Sequence, residues 1–259
     1  MPLCLIHLPL HLTHMTILGI DIGGSGVKGA PVNISNGDLL DERFRLPTPH
    51  PATPKSVAKT VAKITNHFEW HGPIGCTLPG RIKNGIVQTA ANIDERWIGT
   101  RADRLLHEAT GCRATVLNDA DAAGVAEMAF GAGRKRNGLV LVLTVGTGIG
   151  SAMFYDQVLV PNTELGHLEL NGHDAERRAA DSARKRDKIT WEKWAKRFQK
   201  YLNHVEFLFA PDLLIIGGGV SRPKKFERFS SLLTTRAEVL PAQLQNEAGI
   251  IGAALSART

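Results

Sequence analysis

Cysteine is scarce in this 259-residue chain. The three present, Cys4, Cys76 and Cys112, are scattered and odd in number, so neither a disulfide framework nor a paired-cysteine zinc site is indicated. This usage points to a reducing cytoplasm. Long apolar runs are also missing: none reaches the ~18–20 residues of a membrane-spanning helix, so no membrane partner is expected. No short-period repeat is present, which removes solenoid architectures. The leader MPLCLIHLPLHLTH has no basic n-region and no small-residue cleavage site, so it does not read as a signal peptide. Residues 1–15 are expected to be a loose extension, with Met15 a candidate start.

What is present is ordinary globular composition, 43% hydrophobic and 22% charged, enough for one large or two moderate domains. The net charge is +6 and the pI about 9.4, a balance that attracts polyanions. Much of it is local: residues 177–200 hold ten Lys and Arg against Asp181, Asp187 and Glu192. A solvated basic helix face explains such a run as readily as a polyanion site does.

Apolar runs ending in glycine recur. Thr16 to Asp21 predicts a buried strand and a tight turn. Gly26 to Asn33 and Leu39 to Leu46 predict two further strands around an Asn36-Gly37 turn. Thr53 to Trp70 and Thr100 to Ala109 have helical spacing, and Ile74 to Leu78 and Ala114 to Leu117 read as strands. The pattern restarts with a small-residue helix, Ala120 to Phe130. Strands Gly138 to Val145 and Ser151 to Tyr155 follow, then a long helix, Thr190 to Phe209. Asp212 to Ile216 is a strand, and a helix from Asn246 closes the chain. The long helix carries Trp191, Trp194, Phe198, Val205 and Leu208 as its core stripe, with Lys193, Lys196, Arg197 and Lys200 on another face. This spacing predicts an α/β protein of two domains with a cleft between them. The boundaries are 16–118 with the C-terminal helix 246–259 for the smaller domain, and 119–245 for the larger.

Asp21-Ile22-Gly23-Gly24-Ser25-Gly26 follows the first strand, with Lys28 just beyond. Glycines let the backbone approach a phosphate and aim N–H groups at it, and Asp21 beside them could hold Mg²⁺ through water. A tight hairpin with a structural Asp is the plainer reading. Thr144 to Gly150, with Gly146, Thr147 and Gly148, repeats the same chemistry in the other half. Two such loops in opposite halves suggest a phosphate chain gripped from both sides. Gly217-Gly218-Gly219 follows a third buried strand and could pack against a flat ring such as adenine, or be a plain strand-to-helix turn. Asn118-Asp119 ends a strand. Asp119 there is either a helix N-cap or a general base toward a hydroxyl during phosphoryl transfer. Glu164 and His167, three apart after a Pro-Asn turn, could share a face and bind vicinal hydroxyls.

Taken in order, these elements resemble the repressor–ORF–kinase (ROK) family of sugar kinases over residues 16–258. The resemblance implies an actin-like ATPase (ribonuclease H-like) fold. It implies phosphate loops at Asp21–Gly24 and Thr144–Gly150 and an adenosine loop at Gly217–Ser221. It also implies a sugar site of Gly80, Asn118, catalytic Asp119, Glu164, His167 and Glu176. The family's structural zinc site has no counterpart, because Leu168 to Asp174 contains no cysteine. No zinc is therefore expected, nor a helix-turn-helix domain before the first strand. Pro161 to Leu170 and the stretch from Ala183 to Ala195 look like the polyphosphate-using glucokinase branch, to which a mannose-accepting glucomannokinase also belongs. The implied activity is transfer from polyphosphate or ATP, with Mg²⁺, to the 6-hydroxyl of glucose, and of mannose as an extension. Arg184, Lys185 and Arg186 are the implied polyphosphate contacts. The rivals are a strictly ATP-dependent hexose kinase, a sugar-sensing regulator without turnover, and a nucleic-acid-binding module. The last is disfavoured because Trp191 and Trp194 fall on the core stripe and leave no stacking platform. A monomer or homodimer is expected.

Overall fold

The computed structural model describes residues 15–258, so the expected loose extension lies, Met15 aside, outside the described residues. Strands β1 (Thr16–Ile22), β2 (Val27–Asn33) and β3 (Phe44–Leu46) form an antiparallel meander. Helix α1 (Pro54–His67) leads to β4 (Ile74–Leu78) and a small hairpin, β5 (Ile82–Lys83) with β6 (Ile86–Val87). Helix α2 (Ala102–Thr110) then leads to β7 (Ala114–Asn118). β4 and β7 add in parallel beside β1, in the order β3-β2-β1-β4-β7.

Helix α3 (Asp119–Phe130) opens a second unit built the same way. Its meander is β8 (Leu139–Val145), β9 (Ile149–Tyr155) and β10 (Val158–Val160). A hairpin, β11 (Glu169–Leu170) with β12 (His173–Asp174), and short helices α4 (Glu176–Ala179) and α5 (Asp181–Arg186) come next. Then follow α6 (Trp191–Phe209), β13 (Leu213–Gly217), α7 (Pro223–Phe226), β14 (Glu238–Pro241) and α8 (Ala248–Ser256). The order β10-β9-β8-β13-β14, three antiparallel strands and two parallel additions, repeats that of the first sheet.

Both central strands are buried on both faces, which is why β1 and β8 read as continuous apolar runs. In β1, Leu18, Ile20 and Ile22 face α1 and α2, whereas Ile17 faces α8. In β8, Leu141, Leu143 and Val145 meet the aromatic stripe of α6, whereas Val140 and Val142 face the α3 side. The stripe stacks Trp194 on Phe198 at 4.9 Å and sets both edge-on to Phe229.

The layer between the sheets is the α3–α8 pair. Its closeness depends on glycines. A Cβ at Gly19 would lie 2.0 Å from the Ile250 carbonyl oxygen, and one at Gly75 1.7 Å from that of Ala253. These two glycines are neighbours across the β1–β4 register and form a flat floor for α8. Gly252 performs the same service toward α3, where a Cβ would meet the Ala122 carbonyl at 1.7 Å.

Two expectations are corrected. The strand from Leu39 to Leu46 is mostly absent: Leu39 makes a single bridge to Val32, and the chain swings out through exposed residues 40–43 before β3 pairs. Leu208 leaves the core stripe, being 47% exposed beside Phe207 at 84%; in the last turn of α6 Val205 and Phe209 make the core contacts instead.

Gly75→Ala should cost about 1–3 kcal/mol, since a backbone carbonyl cannot step aside as a side chain does. Urea unfolding at neutral pH reads this directly; an unchanged midpoint and slope would contradict the close seating of α8.

Candidate active site

The two glycine loops face each other across a cavity of about 750 Å³. In the first, the Gly23 N–H donates to the Gly26 carbonyl at 3.0 Å and the Thr48 hydroxyl to the Gly23 carbonyl at 2.5 Å. In the second, the Gly146 N–H donates to the Gly148 carbonyl at 2.9 Å. The start of α5 braces this loop from behind: Ser182 donates its N–H to the Gly146 carbonyl at 3.0 Å and its hydroxyl to the Thr147 carbonyl at 2.6 Å. Gly218, at φ +74, packs onto the end of β8, where a Cβ would lie 2.6 Å from the Val145 carbonyl oxygen.

Asn118 and Asp119 stand at the floor. The N-cap of α3 is Asn118, whose Oδ1 accepts the N–H groups of Ala120 (2.8 Å) and Asp121 (3.1 Å). Its Nδ2 donates to the Gly80 carbonyl at 3.0 Å. Asn118 is therefore the N-cap, and Asp119, at the first helical position, shares the Ala120 N–H through its own Oδ1 at 2.9 Å. The Asp119 carboxylate opens into the cavity yet is surrounded by protein on its other sides. Burial first, and then the nearby charge of Asp21, push its pKa up to about 6.

Glu164 and His167 form the side wall, carried by a short 3₁₀ turn, Leu165–His167. Burial raises the pKa of Glu164, an effect opposed by His167 and Arg81. The Glu176 Oε2 accepts the Ile149 N–H at 2.9 Å and rests where a Cβ on Gly148 would be, so this carboxylate is tied to the second loop.

Most residues singled out in the sequence converge here. The cavity is lined by Gly23, Gly24 and Ser25, by Thr144, Gly146, Thr147 and Gly148, by Gly80, Asn118 and Asp119, and by Glu164, His167, Glu176 and Gly218. Asp21, Lys28 and Gly217 line instead an adjoining cavity of about 170 Å³, which Asp119, Thr144 and Gly218 also reach. There Asp21 accepts the Thr77 hydroxyl at 2.7 Å and pairs with Lys28 at 3.0 Å. Gly26 and Gly219 line neither cavity, and neither do Arg184, Lys185 and Arg186.

Three residues escaped the sequence reading. Asp174, on the β11–β12 hairpin, places its carboxylate 3.3 Å from His167 Nδ1; the Asn171-Gly172 turn was the local signal for it. Asn162 sits at φ +62 and exchanges two hydrogen bonds with the Ile82 backbone, 2.7 and 2.9 Å. Asp121 accepts the Asn162 N–H at 2.8 Å, is only 1% exposed, and has its Oδ1 buried without a partner. Burial, then the charges of Glu164 and Asp119, raise its pKa to about 7.

The comparisons with known proteins show the family. The model of the ROK family matches residues 17–183. The chain belongs to the ROK family. A polyphosphate glucokinase of Mycobacterium tuberculosis (strain CDC 1551 / Oshkosh) is 52% identical over 239 residues, 92% of this chain and 89% of the relative. The crystal structure of an inorganic polyphosphate/ATP-glucomannokinase from Arthrobacter sp. strain KM matches with a TM-score of 0.88 at 50% identity, covering 93% of this chain and 97% of that one. A ROK hexokinase from Thermus thermophilus matches at 0.74 and 26% identity, covering 94% and 98%. Like these ROK proteins, the chain has the two-domain actin-like ATPase fold. Among the described residues, no helix is long and apolar enough to cross a membrane.

The ROK site carries a stability signature. The folded chain holds the Asp121 proton more tightly than the unfolded chain, whose carboxyl titrates near 4. Raising the pH from about 4 through 7 therefore removes stability. Asp121→Asn keeps the acceptor for Asn162 and has no proton to lose. Its Tm should exceed that of the parent by an amount that grows from pH 5 to pH 8, reaching several degrees, or roughly 1–3 kcal/mol. A constant or shrinking difference in calorimetry would contradict the assignment.

Proposed function

We propose that this chain is a sugar kinase that moves a phosphoryl group from inorganic polyphosphate or ATP to the 6-hydroxyl of glucose, with mannose as a second acceptor. The observation that carries this reading is Asp119. It stands one position beyond the N-cap, lies at the floor between two glycine loops, and has a pKa near 6 that leaves it ionised but basic at neutral pH. The high-identity polyphosphate glucokinase and glucomannokinase relatives support the donor and the sugar.

In this reading the sugar lies against Gly80, Asn118, Glu164, His167 and Glu176, its 6-hydroxyl toward Asp119. The hydroxyl oxygen attacks the terminal phosphorus, the bond from that phosphorus to the rest of the donor breaks, and Asp119 takes the proton. Backbone N–H groups of both loops stabilise charge on the transferred group. Asp174 positions His167. Gly217, Gly218 and Gly219 form the adenosine side of the donor site when ATP is used. The domains are 16–118 with 246–259, and 119–245, and they close over the substrates to exclude water.

Mg²⁺ fits the residues present. The ion keeps several waters and needs only one or two carboxylates beside substrate phosphates, and Asp21, next to the first loop with Lys28 balancing it, supplies one. Bound there, the ion would neutralise donor charge. Among the described residues no three His, Cys, Asp or Glu side chains gather into a ligand set, so the donor's oxygens would complete the sphere. We place the reaction in the cytoplasm, where the free thiols of Cys76 and Cys112 stay reduced.

The basic run contributes to donor binding less evenly than its charge suggests. Arg184 pairs with Asp181 at 2.8 Å and lies 4.0 Å over the Trp191 ring, which makes it a packing residue. Lys185 and Arg186 keep their head groups in solvent, where a polyanion would meet them.

Asp119→Asn should lower transfer from either donor by about 10²–10⁴ while glucose still binds. In the parent enzyme kcat/KM for glucose should fall as pH drops below about 6, because the base becomes protonated. A panel of polyphosphate and ATP against glucose and mannose, followed by the pH profile, tests this. Near-normal turnover of the variant would remove Asp119 from the mechanism, and turnover with ATP alone would favour the strictly ATP-dependent reading.

A further inference from the structure

Side-chain hydrogen bonds close a ring that runs past Gly80 and Glu164. Asn118 Nδ2 donates to the Gly80 carbonyl at 3.0 Å. Two residues beyond Gly80, the Ile82 N–H donates to Asn162 Oδ1 at 2.7 Å, and Asn162 Nδ2 donates back to the Ile82 carbonyl at 2.9 Å. The Asn162 N–H donates to Asp121 Oδ2 at 2.8 Å. The Asp121 N–H then returns to Asn118 Oδ1 at 3.1 Å. Asn118, Asp121 and Ile82 are buried, which strengthens bonds of this kind.

The segment beyond Asn162 is pinned a second time. The Ser151 hydroxyl donates to the Thr163 carbonyl at 2.9 Å and the Thr163 hydroxyl to the Ser151 carbonyl at 3.0 Å, while the Leu165 N–H donates to Ser151 Oγ at 2.9 Å. Ser151 belongs to β9, so these bonds tie Glu164, between Thr163 and Leu165, to the second sheet. They do not set its distance from Gly80, which follows β4 of the first sheet. The ring does. It joins the two units at the start of α3, where the chain passes from Asn118 to Asp119, and again through the Asn162–Ile82 pair, 80 residues apart. Asparagine suits that second junction. It tolerates the left-handed backbone found here, φ +62, and its amide offers one acceptor and one donor to match a peptide unit.

We propose that Asn162 and Asp121 are positioning residues for the acceptor sugar: by clasping the Glu164 wall to the Gly80 loop they set the width of the sugar pocket. This rests on the sugar reading above. Neither residue lines either cavity, so both act through the groups they hold. A pocket held at its working width binds without first drawing its walls together, which favours affinity. The two glycine loops lie outside the ring, and Asn118 caps α3 without help from Asn162. Donor binding and the placing of Asp119 are therefore independent of the clasp.

The test is calorimetric glucose binding and steady-state kinetics of the full chain, for the parent, Asn162→Gly, Asp121→Ala, Asp121→Asn and the double variant Asn162→Gly/Asp121→Ala. Glycine adopts the left-handed backbone freely, so Asn162→Gly removes the clasp and spares the turn. It should raise both Kd and KM for glucose roughly three- to thirtyfold. The KM for ATP or polyphosphate should stay within about twofold, and kcat at saturating glucose within about threefold. Asp121→Ala should act in the same direction, whereas Asp121→Asn keeps an acceptor for the Asn162 N–H and should stay near the parent. Because both residues act through one ring, the double variant should lose less than the product of the single losses. An unchanged glucose Kd in Asn162→Gly, equal rises in the glucose and donor KM, a fall in kcat alone, or fully multiplicative losses would each overturn the clasp while leaving the sugar reading intact. A parent enzyme that neither binds nor phosphorylates glucose or mannose would overturn the sugar reading, and the clasp with it.

Discussion

The seating of α8 is the constraint on which the rest of the molecule depends. Its carbonyls rest on Gly19 and Gly75, which lie side by side in the first sheet, and Gly252 lets it touch the backbone of α3. Backbone against backbone leaves no slack, because neither partner has a rotamer to change. α3 begins with Asp119 and packs on the second sheet, where a Cβ on Gly124 would meet Ala152. α8 begins beside Asp21, leaving room for that carboxylate at Gly249. One contact between two helices therefore sets the Asp21 and Asp119 carboxylates, which line the same small cavity, and joins two sheets of identical order.

Around that contact the site concentrates like charge. Asp119, Glu164 and Glu176 line one cleft, with Asp21 in the adjoining cavity and Asp121 buried nearby, and Asp119, Asp121 and Glu164 have their pKa values raised. A cleft built this way is unstable on its own account and suits ligands that bring hydroxyl donors and a cation. The restraint comes from small, specific bonds. Asn118 caps α3 and holds Gly80, Asn162, two residues before Glu164, is tied to Ile82, and Ser182 holds the second loop.

Much of this was legible in the sequence, for physical reasons. Strands buried on both faces must be apolar throughout, so β1, β4, β8 and β13 announced themselves. Loops that close tightly after them must be glycine-rich, so their ends did too. Asn118-Asp119 was legible as a pair, but not which of the two would cap. Both side chains can accept the N–H groups, and only the Gly80 carbonyl, 38 residues away, decides in favour of Asn118. The identical order of the two sheets was hidden because pairing partners far apart in the chain leave no local pattern. For the same reason the Asn162–Ile82 bond, across 80 residues, had no signal. The charge run at 177–200 drew attention because it is dense, yet density did not show which of its cations are paired. Arg184, Lys185, Arg186 and Arg197 pair with Asp181 and Asp187, whereas the run's other six Lys and Arg make no ion pair among the described residues.

The central claim is that phosphoryl transfer occurs at the floor of one cleft, between two glycine loops, with Asp119 facing the acceptor. A crystal structure of the chain with glucose and a non-hydrolysable donor measures this most directly. The account predicts the sugar's 6-hydroxyl within hydrogen-bonding distance of the Asp119 carboxylate and the donor's terminal phosphate between Gly23–Ser25 and Gly146–Gly148. A sugar bound away from Asp119, or a donor that engages only one of the two loops, would contradict it.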